Sequence, residues 1–119
     1  MKELTINSVI EQPIRHTCYT ASGASYAAIF TLRLQPERDT NEVMFENLVE
    51  DDIPKEWYEP YIEKGVREFI ADRAKEKIKI GGIKVSLIEH CYHPIDSQPS
   101  AYTKAAKIGM KEALGKVNC

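Results

Sequence analysis

The apolar residues of this chain change their spacing part way along it and then change back, and this switch of period restricts the fold more than any other feature. "ELTINSV", from Glu3 to Val9, alternates polar and apolar residues as a half-buried strand does. "PIRHTCY" extends as a second strand, "TASGAS" (Thr20 to Ser25) is a loop of small residues, and "YAAIFTLRLQP" (Tyr26 to Pro36) is a third strand. "ERDTNE" reads as a turn before the short strand in "VMFENLVE". The period then becomes helical. Ile62, Val66, Phe69, Ile70 and Ala74 form one apolar stripe, and Pro60 suits the first turn, where its missing N–H costs nothing. Trp57, Tyr58 and Tyr61 are expected to pack around the helix entry and the core.

"IKIGGIKVSLIEHCYH" returns to a strand, with Gly81 and Gly82 marking the turn into it. "SQPSAYTKAAKIGMKEALGK" closes the chain as a second helix. Ser97 is its candidate N-cap, Pro99 an early-turn proline, and Tyr102, Ala106, Met110, Ala113 and Leu114 its buried face. Strands, helix, strand, helix is the order of an α+β two-layer sandwich, a sheet with its helices on one side.

With 119 residues the chain is expected to form a single domain, 1–119. It is 43% hydrophobic and 29% charged, as soluble globular proteins are, and its net charge of −2 is unlike that of a protein held on nucleic acid mainly by phosphate neutralisation. No apolar run is long enough to span a membrane, and the N-terminus lacks the apolar core of a signal peptide, so a cytoplasmic protein is expected. Three cysteines, Cys18, Cys91 and Cys119, with no CxxC pair argue against a disulfide framework.

Several motifs, in order, carry a resemblance. "IPKEWYEPYIEKGV", then "IKVSLIEHCYHPIDS", then "AYTKAAKIGMKEA" together resemble domain IV of translation elongation factor G. The match runs without a gap from Ile83 to Ala113 and more loosely through the first half, where "IRHT" precedes the loop and "YAAIFTLRLQP" follows it. The fold this implies is ribosomal-protein-S-five-domain-two-like, with a mixed sheet, two helices on one face and a left-handed crossover. The family's domain is the non-catalytic arm that reaches the decoding centre of the small ribosomal subunit. The implied partners are small-subunit ribosomal RNA or a translation-associated protein, and no cofactor is implied.

Two loops form the tip of that arm. Carried over by position, Tyr92, His93, Asp96 and Ser97 match the second loop, and Thr20, Ser22 and Gly23 lie in the first, with Tyr26 beside it. The family's first loop is rich in glycine and carries Lys and Arg. The run from Cys18 to Ser25 has one glycine and no cation, and Pro94 stands where an acid is expected in the second loop. Each lost phosphate contact weakens RNA binding and flattens its salt dependence. A protein-interaction module of the same fold that has lost ribosome binding is therefore the alternative. No GxxxxGK[ST] phosphate loop occurs, so no bound nucleotide is expected, and the chain is not expected to act as a translocase by itself.

The turn has competing readings of its own. Tyr92 stacking on a base and His93 donating to a phosphate or sugar stand against a strand-to-helix turn capped by Asp96 or Ser97. His16, Cys18, His90, Cys91 and His93 are types that suit zinc, but the spacing is unlike standard motifs. Strand neighbours such as His90 and Cys91 also point to opposite faces, so no metal is expected. Nothing signals the third group that a Cys91–histidine nucleophile needs, and a small enzyme with His93 as base is the remotest option. Lys104, Lys107 and Lys111 share one face of the last helix, as a secondary basic face or simply a solvated one.

Overall fold

The computed structural model describes residues 2–19, 25–91 and 99–115, and side chains within 3–15, 28–91 and 100–115. The elements are β1 (Lys2–Leu4), β2 (Ile10–Tyr19), β3 (Ser25–Pro36), β4 (Val43–Asn47), α1 (Glu59–Lys75), β5 (Ile78–Ile80), β6 (Ile83–Cys91) and α2 (Pro99–Gly115). A 3-10 turn at Lys55–Trp57 leads into α1. This is an α+β fold. The main sheet has the order β2-β3-β6-β4, antiparallel except for the β4–β6 pair, and β1 and β5 make a separate parallel ribbon. The parallel β4–β6 pair requires a crossover, and α1 lies on that path.

The core lies between the sheet and the two helices. From β3, Ala28, Phe30, Leu32 and Leu34 point inward with the period of two that a strand imposes. Val85 and Leu87 from β6, Ile62, Val66 and Phe69 from α1, and the whole expected face of α2 complete it. Ile70 is only partly buried and Ala74 is exposed, so the α1 stripe is narrower than its sequence spacing implies.

Two glycines set how closely the layers approach. A Cβ on Gly65 would collide with the Thr103 carbonyl oxygen and sit 2.7 Å from the Ala106 Cβ, so α1 and α2 touch backbone to backbone there. A Cβ on Gly109 would instead meet the end of the Ile14 side chain. Thr103 Oγ1 donates to the Tyr61 carbonyl at 2.9 Å and fixes the same helix crossing.

The first expected strand is a correction. Of Glu3–Val9 only Glu3 and Leu4, following Lys2, are extended into a ladder, because β5 offers three partners and the Leu4 carbonyl then accepts from Gly81 N–H. Leu4 is partly buried and Ile6 is 2% exposed, so the alternation recorded burial rather than a long strand. Trp57 is a second correction. Tyr58 is fully buried and Tyr61 packs on the core, but Trp57 is 50% exposed, on the outside of the 3-10 turn.

Both edges of the main sheet carry features that blunt them. On β4, Arg67 Nη1 donates to the Val43 carbonyl at 2.6 Å. On β2, Pro13 sits mid-strand, where proline is tolerated only because that strand is an edge.

Candidate functional site: the two-loop end of the sheet

β2 and β3 stay paired out to Tyr19↔Ser25, whereas β6 leaves the sheet at Cys91, opposite Ile29. Segments 20–24 and 92–98 therefore depart from the same end of the sheet. The β2–β3 hairpin overshoots β6 by the four steps from Ile29 to Ser25, roughly 13 Å at the usual strand rise. Thr20, Ser22, Gly23, Tyr92, His93, Asp96 and Ser97 all lie outside the described residues, so only the bases of the two loops can be built from the structure.

The base of the second loop is unusual. On β3, Thr31 pairs with Glu89 and Leu32 with Leu87, leaving Ile88 as the extra residue of a β-bulge. The bulge resets the parity of β6. Inward residues run Ile83, Val85, Leu87 and then His90, opposite the buried Phe30. Glu89 and Cys91 are exposed, so His90 and Cys91 project to opposite faces.

The His90 side chain is 0% exposed. Its ring stacks on Tyr58 at 3.9 Å between centroids and 18° between planes. Nε2 lies 2.7 Å from the Tyr102 hydroxyl, and Nδ1 lies 3.5 Å from Asp51 Oδ2, at the outer limit of a hydrogen bond. With Nδ1 protonated toward Asp51, Nε2 accepts from Tyr102. Asn47 Nδ2 donates to the Tyr58 hydroxyl at 3.3 Å. One imidazole thus touches the segment after β4, the entry to α1 and the first turns of α2.

Burial pushes the His90 imidazole below its ordinary 6.5, and the Asp51 carboxylate beside it opposes that shift without overcoming it. The carboxylate–imidazole–hydroxyl order is that of a nucleophile relay, but Tyr102 is 1% exposed and no substrate can reach its hydroxyl in this arrangement. Its chemistry is to hold elements together. Among the described residues no group of three or more His, Cys, Asp or Glu side chains is placed to hold a metal ion.

The lysines on α2 divide. Lys104 and Lys111 are exposed, while Lys107 Nζ lies 2.6 Å from Asp72 Oδ2 of α1. The hydrogen bond to Asp72 raises the Lys107 pKa, and its counterpart lowers that of Asp72. Lys107 is therefore tied to the neighbouring helix.

Sequence reasoning missed the His90–Tyr102–Tyr58–Asp51 cluster. The signal was present in "KVSLIEHC": two apolar residues in succession, Leu87 and Ile88, break the alternation where the bulge falls and move the histidine to the inner face.

Residues 9–118 match the family described as Elongation factor G, domain IV. The fold is also that of a solved crystal structure of a protein from Thermus thermophilus, with a TM-score of 0.77 and 25% sequence identity over 94% of this chain. The chain spans 16% of that protein's length. Domain IV is a non-catalytic, translation-related domain, and among the described residues no helix is long and apolar enough to cross a membrane. By its sequence over nearly its whole length, and by its fold, the chain belongs to the elongation factor G domain IV family.

Proposed function

We propose that this chain acts as one non-catalytic domain, 1–119, in the cytoplasm, presenting its two-loop end to small-subunit ribosomal RNA or a ribosome-bound partner. The observation that carries the reading is the shared departure of segments 20–24 and 92–98 from one end of the sheet, with the hairpin reaching past β6. Family membership supplies the context of translation. The mechanism is occupancy: the loops offer shape and hydrogen-bonding groups, with Tyr92 as a stacking ring and His93 as a donor. Lys104 and Lys111 add a secondary basic face, and Lys107 contributes less because Asp72 neutralises it.

A second reading is favoured by one specific observation. The net charge is −2 and the run from Cys18 to Ser25 has no cation, so the same end would suit a protein partner better than a phosphate backbone.

Sedimentation of the purified protein with 30S and 70S ribosomes across a salt series separates the two. Saturable binding that a Tyr92→Ala/His93→Ala double variant loses supports the RNA-facing reading. No co-sedimentation even at low salt rejects it in favour of the protein-interaction module.

A further inference from the structure

Segment 92–98 leaves β6 at Cys91 and enters α2 at Pro99, and the described residue pair that bridges those two points is His90 with Tyr102. A histidine with no exposed side-chain surface is a poor choice for a merely apolar position, since its ring brings two polar nitrogens that must be satisfied. Here both face polar groups, and each group belongs to a different segment: Tyr102 to α2 and Asp51 to the connection between β4 and α1. We propose that His90 is a positioning residue, a neutral strut that holds the end of β6 against the start of α2, and that acidification releases this junction while the sheet stays folded.

The groups facing the ring account for both halves. β3 contributes Phe30, directly opposite in register and uncharged. The entry to α1 contributes Tyr58, whose phenol is pushed above its ordinary value chiefly by burial and so stays neutral. α2 contributes Tyr102, 1% exposed. Among the described residues the facing carboxylate is Asp51, with 27% of its side chain exposed and only at the edge of hydrogen-bonding distance. Glu59 makes its charge felt at Tyr58 rather than at the ring.

A second proton on His90 would convert Nε2 from acceptor to donor, so the Tyr102 hydroxyl would have to give up donating to it and accept instead. It would also place a positive charge in a site that burial already makes hostile to charge. Moving the end of β6 or the first turns of α2 toward solvent relieves both. The centre of the sheet, built from Leu32, Leu34 and Val85, has no part in this conflict.

This junction would open with or without a ribosome bound. The test is amide exchange on the isolated full chain, corrected for intrinsic rates, at pH 7.5 and 5.5. Protection at 89–91 and 101–103 is expected to fall roughly three- to tenfold at the lower pH, about the most one proton with an unfolded pKa near 6.5 allows, and to stay well below that of Leu32, Leu34 and Val85, whose exchange needs the sheet itself to open. Tyr102→Phe is expected to loosen the same junction already at pH 7.5. His90→Phe keeps a ring against Tyr58 and removes the proton, so the acid response of the junction is expected to vanish. Junction protection equal to that of the sheet at pH 5.5 would mean that the two open only together, reduce His90 to a contributor to global stability and overturn the proposal, as would an unmoved junction in the unsubstituted chain. If His90→Phe does not fold, a Tyr102→Phe variant with unchanged junction protection at pH 7.5 overturns it equally.

Discussion

Lys77 follows α1 with φ at 63°, a left-handed conformation that a side chain resists and glycine does not. Its N–H still donates to the Ala74 carbonyl at 3.0 Å and helps finish the helix, so the conformation serves a purpose. Lys77→Gly is expected to raise stability by about 0.5–1 kcal/mol, measured by urea denaturation. His90 acts in the opposite sense. Its folded pKa is below 6.5, so the unfolded chain binds more protons as the pH drops. The stabilisation is full above the unfolded value, about 6.5, and is lost as pH falls from there toward the lowered folded value. The urea midpoint is expected to drop between pH 7.5 and 5.5, and His90→Phe to remove part of that drop.

At the scale of elements, the two glycines at the helix packing surfaces make a contrasting pair. Gly65 faces backbone, which cannot step aside without separating the helices, whereas Gly109 faces the flexible end of Ile14. Gly65→Ala is expected to cost on the order of 1–3 kcal/mol, and Gly109→Ala clearly less, in chemical denaturation of the two variants side by side. Elements also show where sequence reading succeeds. The buried face of α2 was legible residue by residue because Tyr102, Ala106, Met110, Ala113 and Leu114 repeat with the helical period. β1 was misjudged because a strand's length is set by its partner, and β5, only three residues long, is remote in sequence. The histidine cluster was missed because a single unpaired residue, Ile88, inverts every later assignment of inside and outside along β6. The strand hints at it only through the apolar pair Leu87–Ile88, which interrupts the period of two.

For the whole molecule, charge and shape pull apart. The paired departure of the two loops suits an arm that inserts into a crevice, but an acidic chain gains little from phosphate neutralisation. If the protein binds 30S subunits, the logarithm of its affinity is expected to fall with the logarithm of salt at a slope no steeper than about −2, two phosphate contacts' worth. A slope several times steeper, in the same sedimentation series, would mean that Lys104, Lys111 and cations elsewhere do the binding in place of the tip. The family was legible from motif order alone, since "EKG", "IKVSL" and "YH" fall in sequence with the right element types around them. The base of the second loop was not, because its residues come from four places along the chain and meet only in space.

The bulge at Ile88 also alters what a genetic accident would do to this strand. Losing one residue from a strand normally turns everything beyond it inside out. β6 is different, because its pairing already skips Ile88: with that codon gone, Leu87 would still face Leu32, Glu89 would still face Thr31, and His90 would still lie opposite Phe30. A frame-preserving deletion there would read as a regularised ladder, and losing Leu87 instead would do nearly the same, since Ile88 would take its place opposite Leu32. A place where this domain's central sheet tolerates shortening thus lies three residues from the end of one of its inner strands.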